Sequence, residues 1–190
     1  MKKIARLSVI MAVALLFAAP DTLAGEDDDQ GYTLHPGDQI HISVWREDTL
    51  NQTVVVLPDG NITFPLAGRV KVAGLTSIQV EEQLAEKLGS FFADPEITVS
   101  IVGVEGNRVF VLGKVNQPGL YVLSGPTNIS QILSMAGGLV KFARQDEIKI
   151  LRGQGDAAIY IPFNYDDLLF GKNGAAATIM LEAGDVIVIP

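Results

Sequence analysis

The residues that could perform acid–base or nucleophilic chemistry are few in this chain. It has two histidines, His35 and His41, and no cysteine. A Ser-His-Asp hydrolase would need one of these histidines and a G-x-S-x-G turn, which the sequence lacks, and without cysteine a Cys-His pair is excluded. Two histidines six residues apart, with no H-E-x-x-H motif, do not form a zinc site. We expect both to be solvated, His35 in a turn and His41 on the polar face of a strand.

Carboxylates and aromatic rings raise the question of an enzyme that acts on sugars. A glycosidase needs two facing carboxyl groups about 5–9.5 Å apart, whereas Asp166 and Asp167 are consecutive at a predicted helix start, where they favour the helix dipole. Four aromatic residues could stack on sugar rings: Trp45, Tyr121, Tyr160 and Tyr165. They do not cluster, so we expect them to pack in a core or at strand edges. With no glycine-rich phosphate loop either, the sequence predicts no catalytic residue, no metal site and no cofactor.

The first residues have the layout of a secretory signal peptide. Lys2, Lys3 and Arg6 are basic, residues 7–19 are apolar, and small residues precede Gly25. The apolar run is shorter than the ~20 residues that a membrane-spanning helix needs. We predict a signal peptide over residues 1–24, with a retained membrane anchor as the alternative.

The net charge and the absence of cysteine limit which partners and which location can be expected. The sequence has 14 basic and 22 acidic residues, a formal net charge of −8, and the leader carries three of the basic ones. Such a surface repels polyanions, so no nucleic acid partner is expected. Gly25 stands where a lipoprotein carries its lipidated cysteine. We therefore expect a periplasmic protein that is not a lipoprotein, with an acidic linker over residues 25–31.

The first half of the remaining chain is predicted to contain short strands and one helix. Residues 39–45 alternate polar and apolar, and residues 53–57 and 61–64 flank Pro58-Asp59-Gly60, which is typical of a hairpin turn. Thr76 with Gln79 forms a capping-box pattern. It precedes apolar residues at helical spacing (Val80, Leu84 and Leu88). The helix is expected to end at Gly89, and a strand is expected over residues 96–104.

A polar turn at residues 105–107 is the predicted domain boundary. Beyond it, strands are expected over residues 109–112, 120–122, 147–151, 159–161 and 186–189. Thr127 is expected to cap a helix over residues 128–136, which Gly137-Gly138 ends, and a second short helix is expected at residues 166–170. Strand content exceeds helix content, so the predicted fold class is α+β.

One sequence pattern, which we call the Gly-Asp echo, occurs both near the first predicted strand and at the last one. Residues 34–42 and 181–189 both fit the pattern L-x-x-G-D-x-I-x-I. Glycine supplies the backbone freedom of a tight turn, aspartate accepts backbone N–H groups, and the isoleucines begin a half-buried strand. Two related modules explain the repetition; the alternative is chance, because Gly-Asp turns are common.

An ordered set of motifs resembles a known family. Residues 32–45, 56–62, 65–68, 73–76 and 95–99 resemble the polysaccharide export (PES) domain, and residues 108–119, 136–138 and 183–190 resemble a β-grasp-like SLBB domain. We predict a PES domain over residues 32–104 and an SLBB domain over residues 108–190, each with one main helix. The motif positions are interpreted as structural: Pro36, Gly37, Asp38, Pro58, Asp59, Gly60, Gly113, Pro118, Gly119, Gly137, Gly138, Gly184 and Asp185.

The resemblance is to the outer-membrane polysaccharide export family, and it implies a function. It implies a homo-oligomeric ring that passes capsule or exopolysaccharide between an inner-membrane copolymerase and the outer membrane. Three departures matter: the chain has no cysteine, it ends at Pro190 after one SLBB domain, and Arg46 follows Trp45 where glycine is frequent. The short form implies a separate outer-membrane β-barrel as a partner. The alternatives are a periplasmic carbohydrate-binding or sensing module and, last, a glycan-acting enzyme.

Overall fold

A computed structural model describes residues 31–153, 155–170 and 179–190. The predicted signal peptide and nearly all of the predicted acidic linker lie outside the described residues. In chain order, the first half contains β1 (Gln39–Val44), β2 (Gln52–Val55), β3 (Asn61–Phe64), β4 (Gly68–Lys71), α1 (Ser77–Leu88) and β5 (Ile97–Gly103). Strand β4 was not predicted.

The first half packs α1 on a three-stranded antiparallel sheet with the order β2-β1-β5. Ile40, Ile42 and Val44 of β1 are buried, as their alternation predicts. They share one core cluster with Val80, Leu84 and Leu88 of α1. The predicted capping box is confirmed: Gln79 N–H donates to Thr76 Oγ1 at 3.4 Å, and Thr76 N–H donates to Gln79 Oε1 at 3.0 Å.

The predicted hairpin across Pro58-Asp59-Gly60 is wrong in its pairing. The turn is present, since Gly60 N–H donates to Leu57 O at 2.8 Å. However, β2 pairs with β1, whereas β3 pairs with β4 in a separate two-stranded sheet. Alternation identifies a strand and its buried face but not its partner, and the chain changes sheets at this turn.

The second half contains β6 (Arg108–Gly113), β7 (Gly119–Val122), α2 (Ile129–Met135), β8 (Ile148–Arg152), β9 (Ile159–Phe163), α3 (Tyr165–Phe170) and β10 (Val186–Ile189). Its five strands form one sheet in the order β7-β6-β10-β8-β9. The first and last strands, β6 and β10, lie side by side and parallel, and the other pairs are antiparallel. This mixed sheet with α2 on one face confirms the α+β, β-grasp-like prediction.

Two predictions concern the ends of helix α2: its N-cap was predicted wrongly, and its C-terminal end is confirmed. Asn128, not Thr127, is the N-cap: its side chain accepts from Gln131 N–H at 3.0 Å, while the Thr127 hydroxyl donates to Gly125 O at 2.8 Å. Asparagine is the stronger cap, and it stands one residue closer to the helix. The end is as predicted, because Gly137 and Gly138 both have positive φ and their N–H groups donate to Ser134 O and Leu133 O.

Each half has its own hydrophobic core. The second cluster joins residues of the sheet, including Val109, Ile150 and Ile187, to Ile132 and Leu133 of α2. The turn at residues 105–107 lies between β5 and β6. Residues before it belong to the first cluster, and residues after it belong to the second. In residues 31–153, 155–170 and 179–190, no helix has the length and apolar character needed to cross a membrane.

Candidate functional site

The two Gly-Asp motifs form equivalent turns. Asp38 and Asp185 are both fully buried, and each precedes the central strand of its sheet. Each carboxylate accepts a backbone N–H from the residue three positions earlier, His35 N–H at 2.7 Å and Glu182 N–H at 2.9 Å. The preceding glycines have φ of +102° and +91°, a region that side-chain-bearing residues rarely adopt. The echo in the sequence therefore corresponds to a repeated local structure.

Asp38 is held by neutral donors. The Tyr32 hydroxyl donates to Asp38 Oδ2 at 2.7 Å, and Gly106 N–H donates to Asp38 Oδ1 at 2.8 Å. Burial, followed by the hydrogen bond to Asp38, raises the pKa of Tyr32 well above its ordinary value. His35 Nδ1 lies 3.3 Å from the Tyr32 hydroxyl, with the two rings 5.6 Å apart. His35 lies in a turn as predicted, and its side chain is only partly solvated, at 31% exposed, because its ring lies against Tyr32.

Asp185 is held by a guanidinium instead. Arg152 donates from Nε to Asp185 Oδ1 at 2.9 Å and from Nη2 to Oδ2 at 2.7 Å, the bidentate geometry that favours arginine. The same Nη2 donates to Met180 O at 2.7 Å. The hydrogen bond to Asp185 raises the pKa of Arg152. This arginine ties β8 to the turn that begins β10 and was not singled out from the sequence.

Two glycines are required by close approaches of the backbone. A Cβ on Gly106 would lie 2.5 Å from Pro36 O and 2.8 Å from Asp38 Oδ1, so the boundary turn packs directly on the first Gly-Asp turn. A Cβ on Gly113, where φ is +102°, would overlap the carbonyl oxygen of Ile189 on β10. Gly113 thus permits the parallel pairing of β6 and β10.

The remaining motif positions lie in turns or at the ends of strands. Asp59 Oδ1 accepts from Asn61 N–H at 3.0 Å and its carboxylate pairs with Arg69. The contacts with Asn61, and secondarily with Arg69, lower the pKa of Asp59. Pro118 and Gly119 lie where β7 begins. None of the thirteen motif positions lines the cavity beside Trp45 described below.

The five-stranded sheet has an apolar face that no described element covers. One row crosses all five strands in register: Leu120, Phe110, Val186, Leu151 and Tyr160. Leu120 and Tyr160 are 48% and 67% exposed. The opposite face packs on α2 through Val109, Ile150 and Ile187. Contiguous apolar surface of this kind marks an interaction site.

The polar candidates from the sequence do not converge. His41 faces outward on β1 as predicted, 3.3 Å from the Thr53 hydroxyl. Asp166 and Asp167 occupy the first turn of α3, and Asn164 Oδ1 accepts from Asp166 N–H at 2.9 Å, as the helix-start interpretation predicts. Among the residues that the structure describes, no group of three or more metal-ligating side chains comes together.

The aromatic side chains considered as possible sugar contacts differ in whether they pack or are exposed. The Tyr121 hydroxyl donates to Gln117 O, and Tyr165 packs against the second core cluster, both as expected. Trp45 does not pack in a core: it is 66% exposed and lines a cavity at the end of β1. The signal was available, since Trp45 continues the outward phase of His41 and Ser43. Arg46 has a φ of 66°, a left-handed backbone conformation that glycine adopts more readily than arginine.

Comparison with known proteins agrees with this two-part fold. Residues 26–102 match the model of the polysaccharide biosynthesis/export protein family, and residues 108–162 match that of the SLBB domain. The chain belongs to the polysaccharide biosynthesis/export family, with an export domain followed by an SLBB domain. That is a family of export proteins and not of enzymes.

Similar proteins have names that refer to polysaccharide export, transport or production. The polysialic acid transport protein KpsD of Escherichia coli is 31% identical over 83% of this chain and 28% of its own length. The EPS I polysaccharide export outer membrane protein EpsA of Ralstonia solanacearum is 29% identical over 70% of this chain and 34% of its own. The exopolysaccharide production protein ExoF of Rhizobium meliloti is 24% identical over 82% and 39%. The chain thus spans between 28% and 39% of the length of these relatives.

Proposed function

We propose that this chain is a periplasmic component of capsule or exopolysaccharide export that forms or lines a conduit for the polymer. The conduit runs between an inner-membrane polysaccharide copolymerase and an outer-membrane β-barrel. The observation that carries the proposal is the ordered pair of domains, export followed by SLBB, which matches relatives named as polysaccharide export and transport proteins. In this role the chain has no catalytic activity, no metal and no cofactor.

Assembly into a homo-oligomeric ring is part of the proposal. The apolar row across β7, β6, β10, β8 and β9 supports it, because a soluble protein gains stability by removing such a face from water. A face that meets a different surface on the next copy makes a heterologous contact, and such contacts close into rings when the rotation allows. The partners are therefore further copies of the chain, the copolymerase, the barrel and the polymer.

Secretion and charge fit this location. The proposal takes residues 1–24 as a signal peptide and residue 25 as the first of the exported chain, without lipid attachment because the sequence has no cysteine. The formal net charge of −8 limits adhesion of an anionic polymer and leaves nucleic acid without a binding surface. We retain residues 32–104 and 108–190 as the proposed limits of the two domains.

A periplasmic carbohydrate-binding or sensing module is the second candidate. The exposed position of Trp45 at a cavity favours it, since exposed aromatic rings are suited to sugar contacts. A binding module would remain monomeric and take up oligosaccharide with a fixed stoichiometry. The export component would assemble, and its loss would change where the polymer is found.

Deletion of the gene for this chain alone tests the proposal. We expect surface polysaccharide to disappear and to accumulate inside the envelope, and we expect a copy with residues 1–24 intact to restore it. A copy without residues 1–24 serves as the matched control and should not restore it. Unchanged amount and length of the surface polymer in the deletion strain would overturn the export role and move the binding role to first place.

A further inference from the structure

A cavity lies where β1 ends and β5 begins. It has a volume of about 370 Å³ and is formed by residues 44–47, at the end of β1 and just after it, and by residues 91–96, which connect α1 to β5. A second depression of about 330 Å³ adjoins it, sharing Val44, Trp45 and Arg46 and extending to Asp48 and Asn51. Pockets that hold small ligands begin at about 300 Å³. Together the two form a groove, which we call the Trp45 groove.

Two large aromatic rings of the groove face solvent. Trp45 is 66% exposed and Phe91 is 56% exposed. Their positions are set by the backbone: Trp45 N–H donates to Glu96 O at 2.9 Å, and the N–H groups of Phe91 and Phe92 both donate to Leu88 O. This turn after α1 directs Phe92 against the first core and leaves Phe91 outside. Both rings therefore offer apolar surface that the fold itself does not use.

The rest of the larger cavity's lining is half apolar and half charged, and most of the charged side chains are acidic. Arg46, Glu47, Asp94 and Glu96 line the larger cavity, and Asp48 lines the adjoining one. Carboxylates and a guanidinium around an apolar platform suit a ligand with an apolar face and a rim of hydroxyl groups. A sugar ring has that form, with C–H groups on its faces and hydroxyls at its edge. The excess of carboxylates disfavours sugars that are themselves anionic.

The two loops of the groove hold strained backbone. Arg46 and Asp94 have φ values of 66° and 53°, in the left-handed region that residues other than glycine rarely adopt. Such a conformation costs about 1–2 kcal/mol and persists only where the surroundings impose it. Leu66 and Phe142 are also left-handed but line neither cavity. Both loops of the groove therefore contain a residue whose backbone conformation the surrounding structure imposes.

We propose that the Trp45 groove binds a segment of neutral polysaccharide, with sugar rings stacked on Trp45 and Phe91. Arg46 donates to ring hydroxyls, and the carboxylates of Glu47, Asp94 and Glu96 accept from them. The inference rests on the proposed export function and deepens it, since it assigns a polymer-contacting site on the first half of the chain. Contacts of this kind are individually weak, which suits a polymer that must move on.

Trp45 provides its own readout, because it is the only tryptophan in the sequence. The purified chain is titrated with neutral gluco-, galacto- and manno-oligosaccharides and with oligogalacturonate while tryptophan emission is recorded. We expect a saturable change in emission with at least one neutral oligosaccharide and a weaker response to the anionic one. Phe91→Leu should weaken binding about 3- to 10-fold, the loss expected for one aromatic stack. Phe142→Leu, which removes an aromatic ring that is 78% exposed and lines neither cavity, is the matched control and should leave binding unchanged.

The outcomes separate this inference from the function on which it rests. No emission change with any neutral oligosaccharide overturns the groove as a sugar site, even if deletion of the gene abolishes surface polymer. An emission change that depends on protein concentration and not on sugar also overturns it, and assigns the groove to contact between copies. Saturable binding together with unchanged surface polymer in the deletion strain overturns the export role and leaves the groove in place.

Discussion

The two larger sheets of this chain each pack one face on a core, and they differ in the side chains of the other face. On the outer face of β1, β2 and β5, His41 lies between Thr53 and Ser100 in register, and Ser43 is paired with Thr98. On the corresponding face of the five-stranded sheet, the row is Leu120, Phe110, Val186, Leu151 and Tyr160. The first face is mainly polar, although Val55 and Val102 are exposed on it, whereas the second carries an apolar row across all five strands, which is the kind of surface suited to another protein.

The turns that begin the central strands show the same kind of difference. Asp38 accepts from a tyrosine hydroxyl and two backbone N–H groups, whereas Asp185 accepts from one backbone N–H and both arms of the Arg152 guanidinium. Two of the three groups that donate to Asp38 are backbone N–H groups, which no substitution removes, so loss of this carboxylate leaves them unpaired. At Asp185 the main donor is a side chain, so the carboxylate and the guanidinium can be removed together, which leaves only the Glu182 N–H unpaired.

The largest effect is expected from breaking the charged pair. Asp185→Leu should lower the free energy of unfolding by about 3 kcal/mol, the low end of the range for a broken buried pair, because Arg152 loses its buried partner but keeps Glu182 and Met180 O as acceptors. Adding Arg152→Met should recover part of that loss, since a buried ion pair is often replaceable by apolar side chains. In the Asp38→Leu background, Arg152→Met should instead add a further loss. Urea unfolding followed by circular dichroism measures all of these, and an equal effect of Arg152→Met in both backgrounds would contradict the distinction between the turns.

The second effect concerns the outer faces of the sheets. Phe110→Ser combined with Leu120→Ser should convert the proposed oligomer to monomers with an unchanged circular dichroism spectrum. The free energy of association should fall by about 2–3 kcal/mol per contact, because large apolar side chains are removed from the interface. Val55→Ser combined with Val102→Ser, at 48% and 57% exposed positions of the first sheet, is the matched control. Sedimentation analysis measures the oligomeric state. If Val55→Ser with Val102→Ser dissociates the oligomer and Phe110→Ser with Leu120→Ser does not, the interface lies on the first sheet and not on the second.

A smaller effect is expected from Tyr32 at alkaline pH. Its pKa is raised in the folded state by burial and by Asp38, so the unfolded chain loses this proton first. The stabilisation is therefore present below the ordinary tyrosine pKa of about 10 and is lost as the pH rises above it. Tyr32→Phe should cost about 1 kcal/mol at neutral pH and flatten the alkaline decline. Tyr160→Phe should change neither, and a decline of unaltered steepness in Tyr32→Phe would exclude this origin.

The smallest effect is expected from Asp59 at acidic pH. The contacts with Asn61 and Arg69 lower its pKa in the folded state. Its contribution to stability is thus present above the pKa of the unfolded chain and lost as the pH falls through the lower folded value. Asp59→Asn should slightly flatten the acid limb of thermal unfolding, and salt should reduce the difference because the pair is exposed. A larger effect in high salt would contradict this explanation.

Much of the fold could be predicted because its signals are local. The capping box at Thr76 and Gln79, the glycine pair after α2 and the alternation of Ile40, Ile42 and Val44 each specify a short segment without reference to the rest of the chain. The partner of β2 could not be predicted, because the turn at Pro58 is equally compatible with pairing to β3 or with a change of sheet. Arg152 was missed for the same reason: its partner Asp185 is distant in sequence.

The candidate site was harder to predict than the fold. The Gly-Asp echo was found as a pattern, but the sequence does not reveal that the two aspartates have different partners. The position of Trp45 follows from strand alternation, yet an isolated aromatic residue is usually packed, and only the cavity beside it shows otherwise. The apolar outer face of the second sheet depends on the register of five strands, which no local signal specifies.

The central claim is that this chain acts in polysaccharide export as an assembled component. The most direct measurement is surface polysaccharide per cell in the deletion strain that carries the Phe110→Ser, Leu120→Ser chain at the wild-type level. The account predicts that this folded monomer does not restore the polymer, whereas the Val55→Ser, Val102→Ser chain does. Full restoration by the monomer would contradict a role that depends on assembly.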